Sequence, residues 1–200
     1  MQQSGTYHFA NLSLSSSNIV DVTQHEKNIL DRIVDLYTML YLQKYSKINP
    51  QFTSVYVLNS VFNKTLTIKL LVNGPQKKDN DSISIIPKDT TKIHGVIGVW
   101  KRGGILTTPL LGYDMELPQK AGIYRLLSLE IMKTGRESNL LVNASGGVGD
   151  FKRKRGAQTF VEFNGVYYGK NMSILRKAPW MILTLLTKFG VWYIKRRKDI

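Results

Sequence analysis

A glycine pair joins two apolar runs near the middle of the sequence. The runs are Ile93–Arg102 (IHGVIGVWKR) and Ile105–Tyr113 (ILTTPLLGY), and Gly103-Gly104 connects them. A two-residue glycine connection between such runs predicts a β-hairpin. Pro109 lies inside the second run and has no backbone N–H, which predicts an edge, a bulge or a splayed strand there. The chain must therefore build a sheet that contains this hairpin.

A long amphipathic helix is predicted before the hairpin, over Gln24–Lys47. Thr23 and Glu26 have the spacing of a helix N-cap and its partner, and Asn49-Pro50 ends the segment. The apolar residues recur every three or four positions, which places them on one face of a helix. That face contains Ile29, Ile33, Leu36 and Leu40.

The remaining patterns alternate between short helices and strands. They predict a helix over Pro50–Phe62, strands over Thr65–Val72 and Ser82–Ile86, a helix ended by Gly135, and a buried strand over Leu140–Val142. Met1–Val22 is polar and serine-rich, and is expected to be a loose arm or an edge strand. This order predicts a mixed α/β (α+β) domain over residues 1–200, with a mainly antiparallel central sheet flanked by helices.

A glycine-rich turn and four consecutive cations follow Leu140–Val142. Asn143–Gly147 consists of small and turn-forming residues, and Lys152–Arg155 reads KRKR. Cations beside exposed backbone amides form a plausible anion cradle, whereas the alternative is a solvated basic face. Gln158–Tyr167 then alternates as a strand would.

The charge of the chain indicates an anionic partner. The formal net charge is +14, and the chain contains no cysteine. Nucleic acid, a phosphate-bearing co-substrate or carrier, or an anionic membrane surface would each suit that charge. The missing cysteine excludes a disulfide framework, a thiolate metal site and a cysteine nucleophile. No secretory signal is visible in Met1–Ser17, so a cytoplasmic location is the default expectation.

The C-terminal segment is strongly apolar between basic flanks. A helix is predicted over Pro179–Ile194, within the segment 179–198, with Trp180 and Trp192 near its two ends. Its apolar run of about 15 residues is shorter than the roughly 20 that a membrane span needs. A helix lying at a membrane surface and a buried core helix remain equal alternatives. The first would place the protein peripherally on the inner face of the membrane.

Two short motifs resemble the GNAT acyltransferase superfamily. A strand ends in Leu111-Gly112-Tyr113-Asp114, and the segment from Gln119 to Tyr124 (QKAGIY) then opens a helix. This segment resembles the acyl-CoA loop Gln/Arg-x-x-Gly-x-Gly/Ala, in which Gln119 and Gly122 match and Tyr124 replaces the last small residue. The resemblance implies that Gln119, Lys120, Ala121, Gly122, Ile123 and Tyr124 hold the donor.

The second motif lies around the glycine-rich turn. Asn143–Arg153 (NASGGVGDFKR) resembles the small-Gly-x-x-x-Phe/Tyr-Lys signature of the Fem-type branch, whose members are acyl and aminoacyl transferases. This resemblance implies that Lys152 binds an anion or a carboxylate. The likeness covers roughly residues 93 to 168, and many Fem-type proteins carry two such domains where this chain has room for one.

The resemblance implies transfer of an acyl group, with a long chain among the candidates, from acyl-CoA or an acidic acyl-phosphopantetheine carrier protein to an amine acceptor such as an amino acid. In such enzymes the thioester binds where two neighbouring strands splay apart. An amine must lose a proton to react, so a base is needed nearby. Candidate bases are Glu130, Glu162 and His94, and Tyr167 is a candidate acid for the leaving thiolate. Each of these also has an ordinary structural interpretation, as a paired, solvated or core residue.

Other function classes remain open on the sequence alone. Aromatic residues interleaved with Lys and Arg suit a nucleic-acid-binding module, although no recognised motif of that kind is present. An aminoacyl-tRNA donor would combine transfer with nucleic-acid binding, and the C-terminal helix would suit a non-catalytic membrane-surface protein. No His, Cys and carboxylate cluster has metal-ligand spacing, so no metal is predicted. Acyl transfer is the favoured function, and nucleic acid is the less favoured partner.

Overall fold

A computed structural model describes residues 6–14, 21–74, 87–145, 149–160 and 172–196. The chain divides into two compact units, Met1–Ser145 and Gly146–Ile200, and each unit is described by itself. The predicted strand Ser82–Ile86 and most of the predicted strand Gln158–Tyr167 lie outside the described residues.

The first unit is built on a five-stranded sheet in the order β1-β2-β3-β4-β5. The strands are β1 (Tyr7–Asn11), β2 (Thr67–Asn73), β3 (Ile93–Arg102), β4 (Ile105–Tyr113) and β5 (Leu141–Val142). The first four strands are antiparallel neighbours, and β5 joins β4 in parallel. The predicted mixed α/β class with a mainly antiparallel sheet is confirmed. Within Met1–Val22, the structure has an edge strand at β1.

The predicted hairpin is confirmed as β3 and β4. Gly103 and Gly104 form its turn with φ of 58° and 79°, in the left-handed region that glycine tolerates best. The pairing shifts register between Gly98 and Trp100, so that Gly98 lies opposite Leu110 and Trp100 opposite Thr107. Pro109 lies in this bulge, where its missing N–H breaks no regular ladder bond.

The first helix begins and ends close to its predicted bounds. Helix α1 (Gln24–Tyr37) has a full capping box, in which Thr23 and Glu26 each satisfy the other's backbone N–H. It continues as a π-helix over Thr38–Tyr45. Helix α2 (Ser54–Phe62) starts at an N-cap formed by Thr53, four residues later than predicted.

Helix α3 (Ile123–Glu137) covers the other face of the sheet. The prediction that Gly135 ends this helix is wrong, because the helix continues to Glu137. Gly135 instead allows β5 to approach: a Cβ built there would lie 2.3 Å from Val142 Cγ2. The prediction of a buried strand at Leu140–Val142 is also wrong in part, since Leu141 is 77% exposed and only Leu141–Val142 is a strand.

Two apolar layers hold the first unit together, one on each face of the sheet. Consecutive residues of a strand point to opposite faces, so neighbouring pairs divide between the layers. The layer under α1 and α2 contains Ile29, Ile33, Leu36, Leu70, Val96 and Leu110. The layer under α3 contains Leu71, Ile97, Leu111, Ile123, Leu127 and Ile131. The helices are thereby fixed to both faces.

The second unit contains two described helices, α4 (Gly149–Arg153) and α5 (Ile174–Arg196). Helix α5 includes the predicted helix Pro179–Ile194 and begins earlier, with Pro179 inside it. The described apolar side chains of α5 are largely exposed, which is contrary to the alternative of a buried core helix. Within the described residues, no helix combines the length and the apolarity that crossing a bilayer requires.

Candidate active site

The pairing between β4 and β5 is confined to the start of β4. Ile105 lies opposite Leu141 and Leu106 opposite Val142, and Asn143 N donates to Leu106 O at 2.8 Å. Among the described residues, β5 forms no ladder with β4 beyond this point. The edge of β4 from Thr107 to Tyr113 is therefore not covered by β5. The sequence resemblance implies a donor site at such a divergence of neighbouring strands.

The side-chain hydroxyl of Thr108 lies on this part of β4. Its Oγ1 is buried and has no hydrogen-bond partner among the residues that the structure describes. Buried hydroxyls are nearly always paired, since an unmet hydrogen bond costs about 1–3 kcal/mol. A ligand with a polar group running along β4 would satisfy this oxygen.

A tight turn connects the end of β4 to the start of α3. Gln119–Ala121 forms one turn of 3-10 helix, closed by hydrogen bonds from Ala121 N to Pro118 O (2.8 Å) and from Gly122 N to Gln119 O (3.1 Å). Gly122 has a φ of 68°, and the space next to its Cα is open, since a Cβ there would meet only Lys120 O at 3.9 Å. The N-terminus of α3 thus begins at an accessible glycine, which suits an approaching phosphate.

The residues of this turn divide into exposed and buried members. The side chains of Gln119 and Lys120 are exposed, whereas Ile123 is buried in the core under α3. Ile123 can therefore serve a donor only through its backbone. The ring of Tyr124 lies 6.2 Å from the ring of Tyr113, at the end of β4. The segment predicted to hold the donor is therefore in contact with the end of β4, the strand whose edge β5 leaves unpaired from Thr107 onwards.

A cluster of four polar side chains lies where β4 ends and β3 begins. Arg32 of α1 donates through Nη2 to Asp114 Oδ2 at 2.7 Å and through Nε to Ile93 O at 3.1 Å. Asp114 N donates to His94 O at 2.9 Å, and Tyr7 Oη lies 3.0 Å from His94 Nδ1. The side chains of Arg32 and Asp114 are 17% and 13% exposed. The cluster links α1, β1, β3 and the segment that leads from β4 to the turn at Gln119–Gly122.

The environment of His94 favours its neutral form. Burial lowers the pKa of His94 below the ordinary value of 6.5, Asp114 partly offsets this, and Arg32 lowers it further. Burial and the nearby Asp114 carboxylate raise the pKa of Tyr7. A neutral imidazole at neutral pH is able to accept a proton, which a general base requires.

Glu130, another candidate base, has a structural partner. Lys69 Nζ donates to Glu130 Oε1 at 2.5 Å and to Thr134 Oγ1 at 3.0 Å. Glu130 is on α3, Lys69 is on β2, and β3 separates β2 from β4 in the sheet. Among the described residues, the hydrogen bond of the Glu130 carboxylate goes to Lys69, and none joins it to His94.

The other predicted site residues belong to the second unit. Lys152 lies in α4 and is half-buried, and burial lowers its pKa below the ordinary value of 10.5. Arg153 donates to Asp150 in the same helix. Glu162 and Tyr167 lie outside the described residues, so their roles stay predictions. Among the described residues, no group of His, Asp and Glu is arranged to hold a metal ion.

Sequence reasoning missed several residues of this site. The ion pair between Arg32 and Asp114 joins positions 82 apart, and no periodic pattern connects them. The contact of Tyr7 with His94 depends on β1 joining the sheet beyond β2. Thr108 carried one available signal: it precedes Pro109, where a bulge was expected.

No family model matches the sequence, and no curated protein matches it. Among solved structures, the chain is similar to an acetyltransferase from Trypanosoma brucei at 14% identity and a TM-score of 0.48, covering 82% of this chain and 100% of that chain. A predicted acetyltransferase with acetyl-CoA from Clostridium acetobutylicum matches at 10% identity and a TM-score of 0.49, covering 81% and 96%. A GNAT family protein from Streptococcus pneumoniae matches at 13% identity and a TM-score of 0.45, covering 83% and 100%.

The resemblance to the GNAT superfamily rests on the two sequence motifs, since structural similarities with these TM-scores and identities do not define a superfamily. The narrower likeness to Fem-type proteins stays a prediction. Identities this low do not transfer an activity from one protein to another.

Proposed function

We propose that this chain is an N-acyltransferase of the GNAT-like kind, which moves an acyl group from a thioester donor to an amine. The observation that carries the proposal is the edge of β4. From Thr107 onwards this edge is not covered by β5, and it leads into the open turn at Gly122. It also contains the Thr108 hydroxyl, which has no hydrogen-bond partner among the described residues. A long, polar donor that ends in phosphates suits an edge of this kind.

Acyl-CoA is the proposed donor. Backbone amides at the start of α3 and the side chains of Gln119 and Lys120 would contact its phosphates, and Thr108 would hydrogen-bond its extended arm. The donor supplies the activated thioester carbonyl. An acyl-phosphopantetheine carrier protein as donor and a long acyl chain are finer proposals, supported only by the basic charge and by the exposed apolar surface of α5.

His94 is the proposed proton acceptor among the described candidates, because it is held neutral and lies beside Asp114, which leads to the donor turn. The amine would lose its proton to His94 directly or through the Tyr7 hydroxyl. Glu162 as a base, Tyr167 as an acid and Lys152 as an anion contact remain parts of the proposal that rest on sequence.

Release of a free thiol tests the proposal directly. Because the chain has no cysteine, every thiol that appears with a thiol-reactive dye comes from the donor. The purified chain is mixed with acetyl-CoA or long-chain acyl-CoA and a panel of amines, including amino acids. Acceptor-dependent thiol release, together with an acylated amine in the mass spectrum, supports the function. Absence of donor binding by calorimetry across the whole panel would contradict it.

A matched pair of glycine variants locates the donor. Gly122→Val and Gly103→Val both place a β-branched residue at positive φ, where the added Cβ meets little. Their backbone strain is therefore similar, of order 1 kcal/mol or more. Only Gly122→Val should raise the donor KM and weaken CoA binding, since Gly103 lies in the hairpin turn. Equal effects of the two variants on the donor KM and on CoA binding would show that the donor does not bind at the Gly122 turn.

The alternative functions receive different support from the described residues. Nucleic-acid or tRNA binding rests on the net charge and on the aromatic residues interleaved with Lys and Arg, and no contact among the described residues favours it. A peripheral position on a membrane has an observation of its own in α5, which is independent of acyl transfer.

A further inference from the structure

Helix α5 exposes large apolar side chains over most of its circumference. It is 23 residues long, and its exposed large apolar residues are Ile174, Leu175, Trp180, Met181, Ile182, Leu183, Leu185, Leu186, Phe189, Trp192 and Tyr193. A helix with so large an apolar surface is normally covered by protein or by lipid. Exposed apolar surface on this scale marks an interaction site.

The charges of α5 restrict what covers it. Between Ile174 and Arg196 there are five Lys or Arg residues and no Asp or Glu. Lys177, Thr184 and Lys188 follow one another at helical spacing and form one polar line. At 100° per residue, Ile182, Leu186, Phe189 and Tyr193 lie roughly on the opposite side. The helix therefore has a basic line and an apolar face, the arrangement of a helix that lies in an anionic membrane surface.

The remaining polar groups of α5 tolerate an apolar environment. Thr184 Oγ1 donates to Trp180 O at 2.8 Å, and Thr187 Oγ1 donates to Leu183 O at 2.9 Å, so both hydroxyls are satisfied within the helix. Trp180 lies in one half of the helix, and Trp192 lies near its end, where Arg196 stacks over its ring at 5.1 Å. Indole rings of this kind favour the boundary between headgroups and acyl chains.

We propose that α5 lies in the plane of an anionic lipid bilayer, with Ile182, Leu186, Phe189 and Tyr193 towards the acyl chains and Lys177 and Lys188 towards the headgroups. The absence of acidic residues from the helix matches the negative potential of such a surface. The proposal is independent of acyl transfer.

Flotation of the full chain with lipid vesicles tests the proposal. Vesicles of equal parts phosphatidylglycerol and phosphatidylcholine are compared with phosphatidylcholine alone, at low and high sodium chloride. We expect binding to the anionic vesicles, weaker binding in high salt and weaker binding without phosphatidylglycerol. In a Trp100→Phe background, the emission of Trp180 and Trp192 should shift to shorter wavelength on binding. No association with the anionic vesicles would overturn the proposal.

Three pairs of substitutions test whether the apolar face and the basic line of α5 make the membrane contact. Leu186→Gln with Phe189→Gln should weaken binding by about tenfold or more, because both side chains lose apolar burial. Lys177→Gln with Lys188→Gln should weaken it roughly fivefold per lysine. The control pair, Ile48→Gln with Leu129→Gln, replaces exposed apolar residues of the first unit and should change nothing. All pairs are compared only after their circular dichroism spectra and unfolding midpoints match those of the parent.

Two further outcomes would overturn the proposal. Binding that survives the Leu186 and Phe189 substitutions would place the membrane contact elsewhere on the chain. A concentration-dependent dimer in light scattering that these two substitutions dissolve, without vesicle binding by the parent, would show that a second copy covers α5 instead.

Discussion

Gly135 of α3 and Val142 of β5 approach so closely that no side chain fits between them. A Cβ on Gly135 would lie 2.3 Å from Val142 Cγ2, far inside van der Waals contact. The contact holds the short strand β5 under α3, at the point where its pairing with β4 stops. The position of β5 beside α3 thus depends on a glycine inside a helix.

Gly135→Ala should therefore destabilise the chain. The added methyl group meets Val142, and overpacking of this kind costs about 1–3 kcal/mol. Val142→Ala in the same chain should recover part of the lost stability, because it removes the Val142 methyl group that the added methyl group at position 135 would contact. Gly190→Ala is the control, since it is also a helical glycine but has open space around it, and it should stabilise by roughly 0.5–1 kcal/mol. Urea unfolding measures the parent and the three variants; a harmless Gly135→Ala would refute the close contact.

The ion pair between Arg32 and Asp114 should contribute measurably to stability. Both side chains are largely buried, so Asp114→Asn leaves the guanidinium poorly compensated and should cost about 1–3 kcal/mol. Arg32→Met should cost a similar amount. The double variant should lose less stability than the sum of the two single losses, because each single substitution already removes the same interaction. Strict additivity in a double-mutant cycle would mean that the pair contributes nothing of its own.

Stability should fall as the pH is lowered through the titration of His94. Its folded-state pKa lies below the unfolded value of 6.5, so the native state binds fewer protons than the unfolded state in this window. The stabilisation is complete above pH 6.5 and is lost as the pH falls below it towards the folded-state pKa. The urea midpoint, followed across this window, should drop more steeply for the parent than for His94→Gln. Parallel curves would contradict the lowered pKa.

Provided that acyl transfer is established, substitutions of Glu130 and of His94 should have different effects on kcat and on stability. Glu130→Gln removes the charge opposite Lys69 and should lower stability by about 1–3 kcal/mol while kcat is retained. His94→Gln should lower kcat at neutral pH by roughly two orders of magnitude or more, as loss of a general base does. Thiol release and unfolding are measured on the same preparations. A large loss of kcat in a stably folded Glu130→Gln variant would reverse the two assignments.

Thr108→Val should leave the free protein as stable as before or stabilise it by about 1 kcal/mol. The substitution keeps the side-chain shape and removes a buried hydroxyl that has no hydrogen-bond partner among the described residues. The same variant should raise the donor KM several-fold. Thr107→Val, one residue earlier on β4, is the control and should leave the donor KM unchanged. A marked loss of stability in Thr108→Val would show that the hydroxyl is paired in the folded chain.

The hairpin, the capping box at Thr23 and the helices on both faces were predictable because each rests on local chemistry. Glycine torsion angles, side-chain caps and the 3.6-residue period operate within a few positions of one another. The helix opening at Gln119–Tyr124 was predictable in the same way, from a short motif, and its role in holding a donor stays a prediction.

The end of α3 was not predictable in that manner. A glycine near a helix end normally signals termination, but Gly135 was required by the approach of Val142, a contact that the local sequence does not encode. The status of Glu130 was equally hidden, since Lys69 meets it from another strand across 61 positions.

By itself, the sequence determined the elements of this protein, its basic charge, its lack of cysteine and the apolar, acid-free composition of its last helix. The tertiary structure decided which of the candidate residues meet. It joined Tyr7, Arg32, His94 and Asp114 in one cluster, set Glu130 against Lys69, and ended the pairing of β5 with β4 before Thr107. The physical reason is that strand order and helix docking bring together residues far apart in the chain, and these long-range contacts leave no periodic signature in the sequence.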